Sequence, residues 1–535
     1  MKMINKLFVA AAFAASFVFP ACNGLEQPPT NQYTDANFWT AKNAETMVMT
    51  AYSQIYGAGT MWSDESLTDN LYNGYRIEDQ TRIRRGIATS SLGLFSWNDL
   101  YTGIRSCHTF LGNSDRIQGL DEQKVARLTA ECRFIRALLY FRLTNLYGDV
   151  PFFSEDLTLD EAMTIKRTPR AEVIASLTSD VESLIKDLPT VDNLPDTEKG
   201  RITQGAAAML LARIALMDSN WEKVASWCQR IVDGEFGHYE LFPSYEGLFK
   251  EENEYNCEVI LDCGHVQGVR TWGEFKNMKP PTLRADYVTW VPTQSLVDSY
   301  LTLGGYTIDE EGTDFDRNNP YANRDPRMDA TIIRDKSELY DPSTQTQHTI
   351  YINAASGQTA DNVATTTAPG QYCTYTGYYT RKWFSPILND NAYNSGLNII
   401  IMRYADVLLM LAEAKNELGQ MTASVWDSTI KPLRQRAGFT AEKALNMPSG
   451  DLRQVIRDER RVELALEGLR WWDIKRWKAG SEYLNGPVRG CTHVGGPAVL
   501  DTYSFDENRD YLWAVPLDEI DLNPNLKPQN TGYGR

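Results

Sequence analysis

Residues 457–477, Arg-Asp-Glu-Arg-Arg-Val-Glu-Leu-Ala-Leu-Glu-Gly-Leu-Arg-Trp-Trp-Asp-Ile-Lys-Arg-Trp, are the most informative segment of the chain, because they combine dense charge with three tryptophans. Its apolar residues recur at the spacing of one helical face: Val462, Ala465, Leu466, Leu469 and Trp472. Acids and bases alternate off that face, and charges interleaved this densely usually pair with one another rather than with a substrate. The stretch therefore predicts a buried helix edged by ion pairs.

Further segments carry the same helical periodicity. Residues 132–146 form one such pattern, closed by Gly148 and Pro151. Residues 205–217 and 221–232 predict a helix hairpin that ends at Gly234, and residues 401–412 predict a helix that ends near Gly419. Paired amphipathic helices of this length favour tetratricopeptide-like packing, although the chain shows no clean tetratricopeptide repeat.

The character of the chain changes between about residues 240 and 395. Glycine, proline, threonine, asparagine and tyrosine become frequent, helical periodicity fades, and residues 258–261 and 349–352 predict small strands. Long loop-rich stretches in a compact domain usually carry function. We therefore expect a loop-rich subdomain with minor β structure, supported by a helical scaffold of about residues 35–239 and 396–535 within one mostly α domain, 35–535.

Several motifs resemble those of one family. They are Ala130-Glu-Cys-Arg-Phe-Ile-Arg-Ala-Leu-Leu-Tyr, Asn323-Arg-Asp-Pro-Arg, Arg403-Tyr-Ala-Asp-Val-Leu-Leu-Met-Leu-Ala-Glu-Ala, Leu433-Arg-Gln-Arg-Ala-Gly, the 457–477 stretch and Trp513-Ala-Val-Pro-Leu-Asp-Glu. In this order they resemble the SusD/RagB-like proteins, outer-membrane glycan-binding lipoproteins. The resemblance implies a SusD-like fold, no enzymatic activity, and a SusC-like TonB-dependent transporter as partner. These motifs specify the scaffold, so the ligand chemistry has to be sought elsewhere.

The N-terminus predicts export and a lipid anchor. Lys2 and Lys6 precede an apolar run at residues 7–19, which is too short to span a bilayer, and Cys22 follows directly. Residues 1–21 are typical of a lipoprotein signal peptide, Cys22 of the acylated residue, and residues 22–34 of a polar tether. The expected location is the outer membrane, lipid-anchored and facing the cell surface.

Composition narrows the ligand classes. The formal net charge of −17 disfavours nucleic acid and anionic lipid, and disfavours polyanionic glycans more weakly. The five histidines are scattered and the chain lacks C-x-x-C and H-E-x-x-H, so we expect no catalytic residue, no metal site and no cofactor, while a structural calcium stays open. Cys132 and Cys228 are expected to be buried thiols, and a bond between Cys257 and Cys263 stays open.

A neutral sugar offers its C–H face to an aromatic ring and its hydroxyl groups to short polar side chains. Exposed aromatic residues beside such side chains therefore indicate a sugar-binding site. Three segments combine the two residue types: 57–76, 270–290 and 372–383. The candidate ligand-binding residues are Trp62, Asp69, Asn70, Tyr72, Tyr75, Arg76, Trp272, Arg284, Tyr287, Trp290, Tyr375, Tyr378 and Trp383. One stacked ring is worth about 1.2 kcal/mol for roughly 50 Å² of sugar face. Two or three rings with hydrogen bonds give Kd values of about 1 mM to 10 µM.

Two other function classes remain open from the sequence. A tetratricopeptide-like scaffold can bind a peptide or protein instead of sugar, and replacing Trp62, Trp272 and Trp290 by alanine would distinguish the two, since only sugar binding should be lost. A glycoside hydrolase would need two carboxyl groups facing each other across a cleft, and no local pattern indicates such a pair. The sequence therefore favours a glycan binder.

Overall fold

The computed structural model describes residues 34–74, 78–91, 97–273, 278–283, 288, 290–341, 344–353, 361–363, 373–384 and 394–534. Helices dominate these residues and the strands are short, which confirms the predicted mostly α fold. The predicted signal peptide, Cys22 and nearly all of the tether lie outside the described residues.

The N-terminal half consists of helices packed against one another. They are α1 (Asp35–Phe38), α2 (Ala41–Ser53), α3 (Ala58–Glu65), α4 (Glu78–Arg84), α5 (Trp97–Leu111), α6 (Glu122–Tyr147), α7 (Leu159–Ala162), α8 (Arg170–Leu184), α9 (Gln204–Met217) and α10 (Trp221–Val232). Helix α6 packs against α2, α5 and α8, so most of its C-terminal half is buried. The Asp121 carboxylate caps it by accepting the Lys124 N–H at 2.7 Å, and Gly148 ends it with a φ of +75°.

The second half continues the array. Its helices are α11 (Gln294–Ser299), α12 (Pro326–Thr331), α13 (Tyr404–Glu417), α14 (Ala423–Ala437), α15 (Glu442–Leu445), α16 (Arg453–Glu463), α17 (Arg470–Arg476), α18 (Gly480–Tyr483) and α19 (Leu517–Leu522). The predicted hairpin is confirmed as α9 and α10, and α10 packs on α13, which packs on α14 and α16. Helix α13 starts later than predicted, because Ile401 lies in a strand that leads into it.

The strands form two-stranded antiparallel ladders between the helices and loops. They are β1 (Leu71–Asn73), β2 (Val259–Cys263), β3 (Trp290–Pro292), β4 (Ile332–Ile333), β5 (Ser337–Asp341), β6 (Thr346–Ile350), β7 (Tyr379–Thr380), β8 (Ile399–Arg403), β9 (Gly486–Val488) and β10 (Asp501–Tyr503). Among the described residues β1 pairs with β3, β2 with β8, β4 with β7, β5 with β6, and β9 with β10. Both runs predicted as strands overlap a strand, namely β2 and β6.

The 457–477 stretch is not the single helix that its spacing predicts. Helix α16 ends at Glu463, the chain turns through Leu466 at φ +63° and Gly468 at φ +74°, and α17 begins at Arg470. The buried carboxylate of Glu65 accepts the N–H groups of Leu466 at 3.2 Å and Gly468 at 3.0 Å. This long-range acceptor replaces the hydrogen bonds that a continuous helix would have made within itself.

The charges of this stretch pair with one another and with the helices around them, as predicted. Arg460 binds Asp406 and Asp473, and Arg476 binds Glu413 through two hydrogen bonds of 2.7 and 2.6 Å. Burial alone would raise the pKa of Asp406, but the nearby guanidinium groups of Arg460 and Arg213 hold it well below its ordinary range. The stretch is therefore a buried ionic framework that fixes helix positions.

The cysteines of the described residues are free thiols, and Cys132 and Cys228 are buried as predicted. Cys263 ends β2, whereas Cys257 precedes the strand, so the two do not share one strand face and do not form a disulfide. Within the described part of the chain, no helix combines the length and the apolar character that crossing a bilayer requires.

Candidate functional site

The three segments that the sequence singles out for ligand contacts meet in space. Strand β1 pairs with β3, with Asn73 opposite Trp290, and the Thr380 hydroxyl of β7 donates to the Trp290 carbonyl at 3.2 Å. Tyr72 meets Tyr375 edge to face, with ring centroids 6.1 Å apart. The described parts of all three segments therefore form one contiguous region.

The tryptophans of these segments are buried, and the prediction that they form open platforms is wrong. Trp62 is 0% exposed and stacks on the buried Trp290 with centroids 5.9 Å apart. Trp383 is 1% exposed and donates its indole N–H to the Leu466 carbonyl at 2.9 Å, while buried Trp272 donates to the Leu397 carbonyl at 2.8 Å. These rings fill the space between loops and helices, so they present no face to a sugar.

Tyr378 is also buried, but its hydroxyl hydrogen-bonds to a residue that lines a cleft. It donates to Gln294 Oε1 at 2.7 Å, and the Gln294 backbone N–H donates to the Arg489 carbonyl at 3.0 Å. Gln294 in turn lines an open cleft. Tyr378 is therefore a positioning residue for that cleft.

Four of the candidates, Tyr75, Arg76, Arg284 and Tyr287, lie outside the described residues. The half-buried candidate rings within the described residues are Tyr72 and Tyr375. The Arg84 guanidinium lies 4.9 Å from the centroid of Tyr72. Gly74 leaves room for Tyr375, since a Cβ atom at Gly74 would stand 2.1 Å from the Tyr375 ring. This tyrosine pair is the aromatic part of the candidate site.

The polar part is a cleft of about 600 Å³. Helix α11, the exposed side of α16, the β9–β10 hairpin and the loop at residues 307–309 line it. The side chains that carry its chemistry are Asp69, Gln294, Ser295, Asp298, Asp458, Arg461 and Tyr483. The cleft is joined to β1 because the Thr293 N–H and hydroxyl donate to the carbonyls of Asn70 and Asp69.

Asp69 and Asn70, two of the predicted ligand-binding residues, both contact Arg461 at this site, and of the two only Asp69 lines the cleft. Asp69 pairs with Arg461 at 2.9 Å and holds Arg470 through contacts of 2.9 and 3.0 Å. Burial alone would raise the pKa of Asp69, but the two guanidinium groups lower it below its ordinary value. Asn70 is fully buried and accepts from Arg461 Nε at 2.8 Å. Together they fix the Arg461 guanidinium at the cleft wall.

Asp298 and Asp458 are carboxyl groups of the cleft that form no ion pair with a lysine or arginine among the described residues. Asp298 accepts one hydrogen bond from Gln294 at 2.8 Å, and Asp458 accepts one from Gln454 at 2.8 Å. Burial raises the pKa of Asp298 and the pKa of Asp458. Carboxylates with unused acceptor positions are suited to the hydroxyl groups of a ligand.

No pattern in the sequence predicts a ligand contact at Gln294, Asp298, Asp458 or Tyr483. These residues come from three separate segments with no shared local pattern, and Asp458 lies in the 457–477 stretch, whose charges indicated scaffold ion pairs. Only the long-range packing of α11 against α16 gives them one cleft. Among the described residues, no group of three or more His, Cys, Asp or Glu side chains could hold a metal ion.

The chain is thus a stack of packed helices with a polar cleft bordered by loops. Comparison with known proteins then identifies the family. The family model described as "SusD family" matches residues 258–533, and that described as "Starch-binding associating with outer membrane" matches residues 30–216. The chain belongs to the SusD family, as the sequence motifs predict.

Individual relatives agree with this assignment. SusD-like protein P2 of Formosa agariphila is 30% identical over 455 residues, covering 82% of this chain and 80% of that protein. The starch-binding protein SusD of Bacteroides thetaiotaomicron is 25% identical over 468 residues, 78% of this chain and 75% of that protein. The crystal structure of a SusD-like carbohydrate-binding protein from Bacteroides fragilis matches with a TM-score of 0.79 at 26% identity, over 92% of this chain and all of that one.

Proposed function

We propose that this protein captures an oligo- or polysaccharide at the cell surface without cleaving it. The observation that carries the proposal is the polar cleft of about 600 Å³ in a SusD-family fold, with unpaired carboxylates and a positioned glutamine in its wall. Sugar hydroxyl groups both donate and accept hydrogen bonds, so they suit a wall of this mixed character. Relatives whose names state starch or carbohydrate binding support the same ligand class.

The proposed site extends from the cleft towards the Tyr72–Tyr375 pair. With the tryptophans buried, the tyrosines supply the ring contacts, and Gln294, Asp298 and Arg461 supply hydrogen bonds. This combination supports the affinity expected from the sequence, a Kd between about 1 mM and 10 µM. Several such weak contacts along one polymer raise the effective concentration of the next.

The proposal includes the location and the partner. Cys22 is acylated after removal of residues 1–21 and holds the protein at the outer membrane, facing the cell surface. The bound glycan is then passed to a SusC-like TonB-dependent transporter. Family membership and the cysteine after the apolar N-terminal run support both statements.

Isothermal titration of the mature protein against neutral, uronic-acid and sulfated oligosaccharides tests the ligand class. A neutral glycan should bind, and Gln294→Ala and Asp298→Asn should each weaken it about threefold to tenfold. Gln420→Ala is the matched control, because this exposed glutamine contacts Lys415 on the far end of α13. Folded protein that binds no glycan would refute the ligand class, and shortening of a bound polysaccharide would refute the non-catalytic role.

The anchor and the partner have separate tests. Labelling of cells with an alkyne fatty acid should modify the wild-type protein and not Cys22→Ser, which should leave the membrane fraction. Affinity purification of the wild-type protein from outer membranes should retain a TonB-dependent barrel. A labelled Cys22→Ser variant, or a complex without any barrel, would contradict these parts of the proposal.

A further inference from the structure

A second surface lies away from the cleft and shares no lining residue with it. It is a groove of about 630 Å³ between the start of α5, the segment 151–165 that contains α7, and helix α19. Tyr101, Pro151, Phe153, Leu157 and Leu526 contribute apolar side chains to its lining. We call this surface the apolar groove.

The edges of the apolar groove carry large hydrophobic side chains that face solvent. Leu159 is 76% exposed, Met163 45% and Leu522 64%. Leu159 and Met163 come from α7 and the residue after it, whereas Leu522 comes from α19, so they stand on elements about 360 residues apart in sequence. Exposed apolar groups concentrated at one groove, rather than scattered singly, mark a surface that another molecule covers.

The surroundings of the apolar groove are acidic. The carboxylates in or beside it belong to Asp156, Asp160, Glu161, Asp518, Glu519 and Asp521. Within the described residues none of the six forms an ion pair with a lysine or arginine. Basic side chains are fewer here: Arg105 lines the groove, and the exposed Lys166 and Lys527 directly follow the lining residues Ile165 and Leu526. Burial, together with the charge of Asp518, raises the pKa of Glu519, as expected where negative charges crowd.

The negative charge around the apolar groove favours some binding partners over others. A second copy of the chain would bring the same acidic rim and a net charge of −17, and an anionic lipid surface would also be repelled. A segment with an apolar face and basic flanks would bury the exposed side chains and neutralise the rim at the same time.

We propose that the apolar groove docks an amphipathic segment of a partner protein whose apolar face covers Leu159, Met163 and Leu522 and whose flanks carry lysine or arginine. The inference does not depend on glycan binding, because groove and cleft have separate lining residues. Loss of one activity should therefore leave the other intact.

Peptide selection tests the proposal. A phage library of random 16-residue peptides is selected on the mature wild-type protein and depleted on the variant Leu159→Asp/Leu522→Asp. The surviving peptides should carry apolar residues at helical spacing and a clear excess of lysine and arginine. Enrichment of acidic or uncharged peptides, or no enrichment above the unselected library, would overturn the proposal.

Affinity measurements on the best peptide locate and characterise the contact. Leu522→Ser and Met163→Ser should each weaken its Kd at least tenfold, and Asp521→Lys about threefold to tenfold. Raising the salt concentration from 50 to 300 mM should weaken binding to the wild type more than to Asp521→Lys. Val499→Ser is the control, since Val499 is similarly exposed but lies outside the groove.

The other occupants give different results. Dimers in sedimentation velocity that Leu522→Ser dissociates would assign the groove to a second copy, and binding to phosphatidylglycerol vesicles that Leu522→Ser abolishes would assign it to lipid. Either outcome would overturn the choice of partner. Circular dichroism and glycan titration of each variant should match the wild type, because the substituted side chains face solvent.

Discussion

The sharpest prediction concerns Arg403, which ends β8 and lies at the centre of the buried ionic framework. Its guanidinium donates five hydrogen bonds, to the carboxylates of Glu258, Glu463 and Glu467 and to the Glu463 carbonyl, at 2.6 to 2.8 Å. The side chains of all four residues are almost completely buried. Arg403→Met removes the cation and leaves three carboxylates inside the protein with one positive charge fewer.

The size of the effect follows from what remains. Glu467 keeps Lys382 at 2.6 Å, Glu258 keeps Arg436 at 2.7 Å, and Glu463 keeps Arg327 at 2.9 Å as well as Arg436. Each carboxylate therefore loses one cationic partner and keeps at least one other. The expected cost in folding free energy is that of breaking one buried ion pair, which is smaller than the summed energies of five hydrogen bonds. We expect the free energy of unfolding to fall by about 3 to 5 kcal/mol.

Urea denaturation followed by tryptophan fluorescence measures this loss. Arg403→Lys keeps the charge but lacks the planar fork that reaches three acids, so it should recover only part of the stability. Arg453→Met is the matched control, because this exposed arginine makes a two-bond contact with Glu417 at 2.7 and 2.8 Å and should cost less than about 1 kcal/mol. Equal losses for Arg403→Met and Arg453→Met would refute the reasoning, since burial would then add nothing.

Other expected outcomes follow from particular contacts. Gly74→Ala should displace the Tyr375 ring and weaken glycan binding about fivefold in titration, whereas Gly264→Ala, whose nearest contact is 3.9 Å away, should not. Trp62→Ala should lower stability by about 3 to 5 kcal/mol and leave glycan affinity unchanged; lost affinity without lost stability would show that the ring contacts ligand. Burial lowers the pKa of Lys475 to about 7, so the unfolded chain binds one proton more than the folded one between pH 7 and about 10.4. The free energy of unfolding should therefore rise over that range by up to about 1.4 kcal/mol per pH unit. Denaturation of the wild type and Lys475→Met at pH 6 to 9 measures this rise, which the variant should lack. The same pH dependence in both proteins would contradict the prediction.

Much of the fold was predictable from local patterns. The buried face and Gly148 stop of α6, the α9–α10 hairpin and the pairing of charges in the 457–477 stretch all follow from residues close together in sequence. The break in the helix at Leu466 was not predictable, because it depends on a hydrogen-bond acceptor at Glu65, about 400 residues away. The periodicity of the stretch contains no sign of that partner.

For the candidate site, the sequence could propose only three segments and did not indicate the cleft itself. Residue types indicated that segments 57–76, 270–290 and 372–383 carry ligand contacts, and the structure brings their described parts together. The sequence did not show which of their rings face solvent, since a tryptophan is the same residue whether it is buried or exposed. The cleft residues Asp298 and Asp458 gave no local signal at all.

The family, the helix pairs and the pairing of acids with bases inside the scaffold can all be inferred from the sequence, because periodicity, capping and charge balance act over a few residues. The solvent exposure of individual side chains, in contrast, depends on how the whole chain packs. Trp290 covers Trp62, and the turn at Leu466 covers Trp383. The solvent exposure of each ring therefore depends on a partner that lies tens or hundreds of residues away in sequence. Burial is a property of the packed chain, and hence the shape of the binding surface is fixed only when α11, α16 and the loops come together.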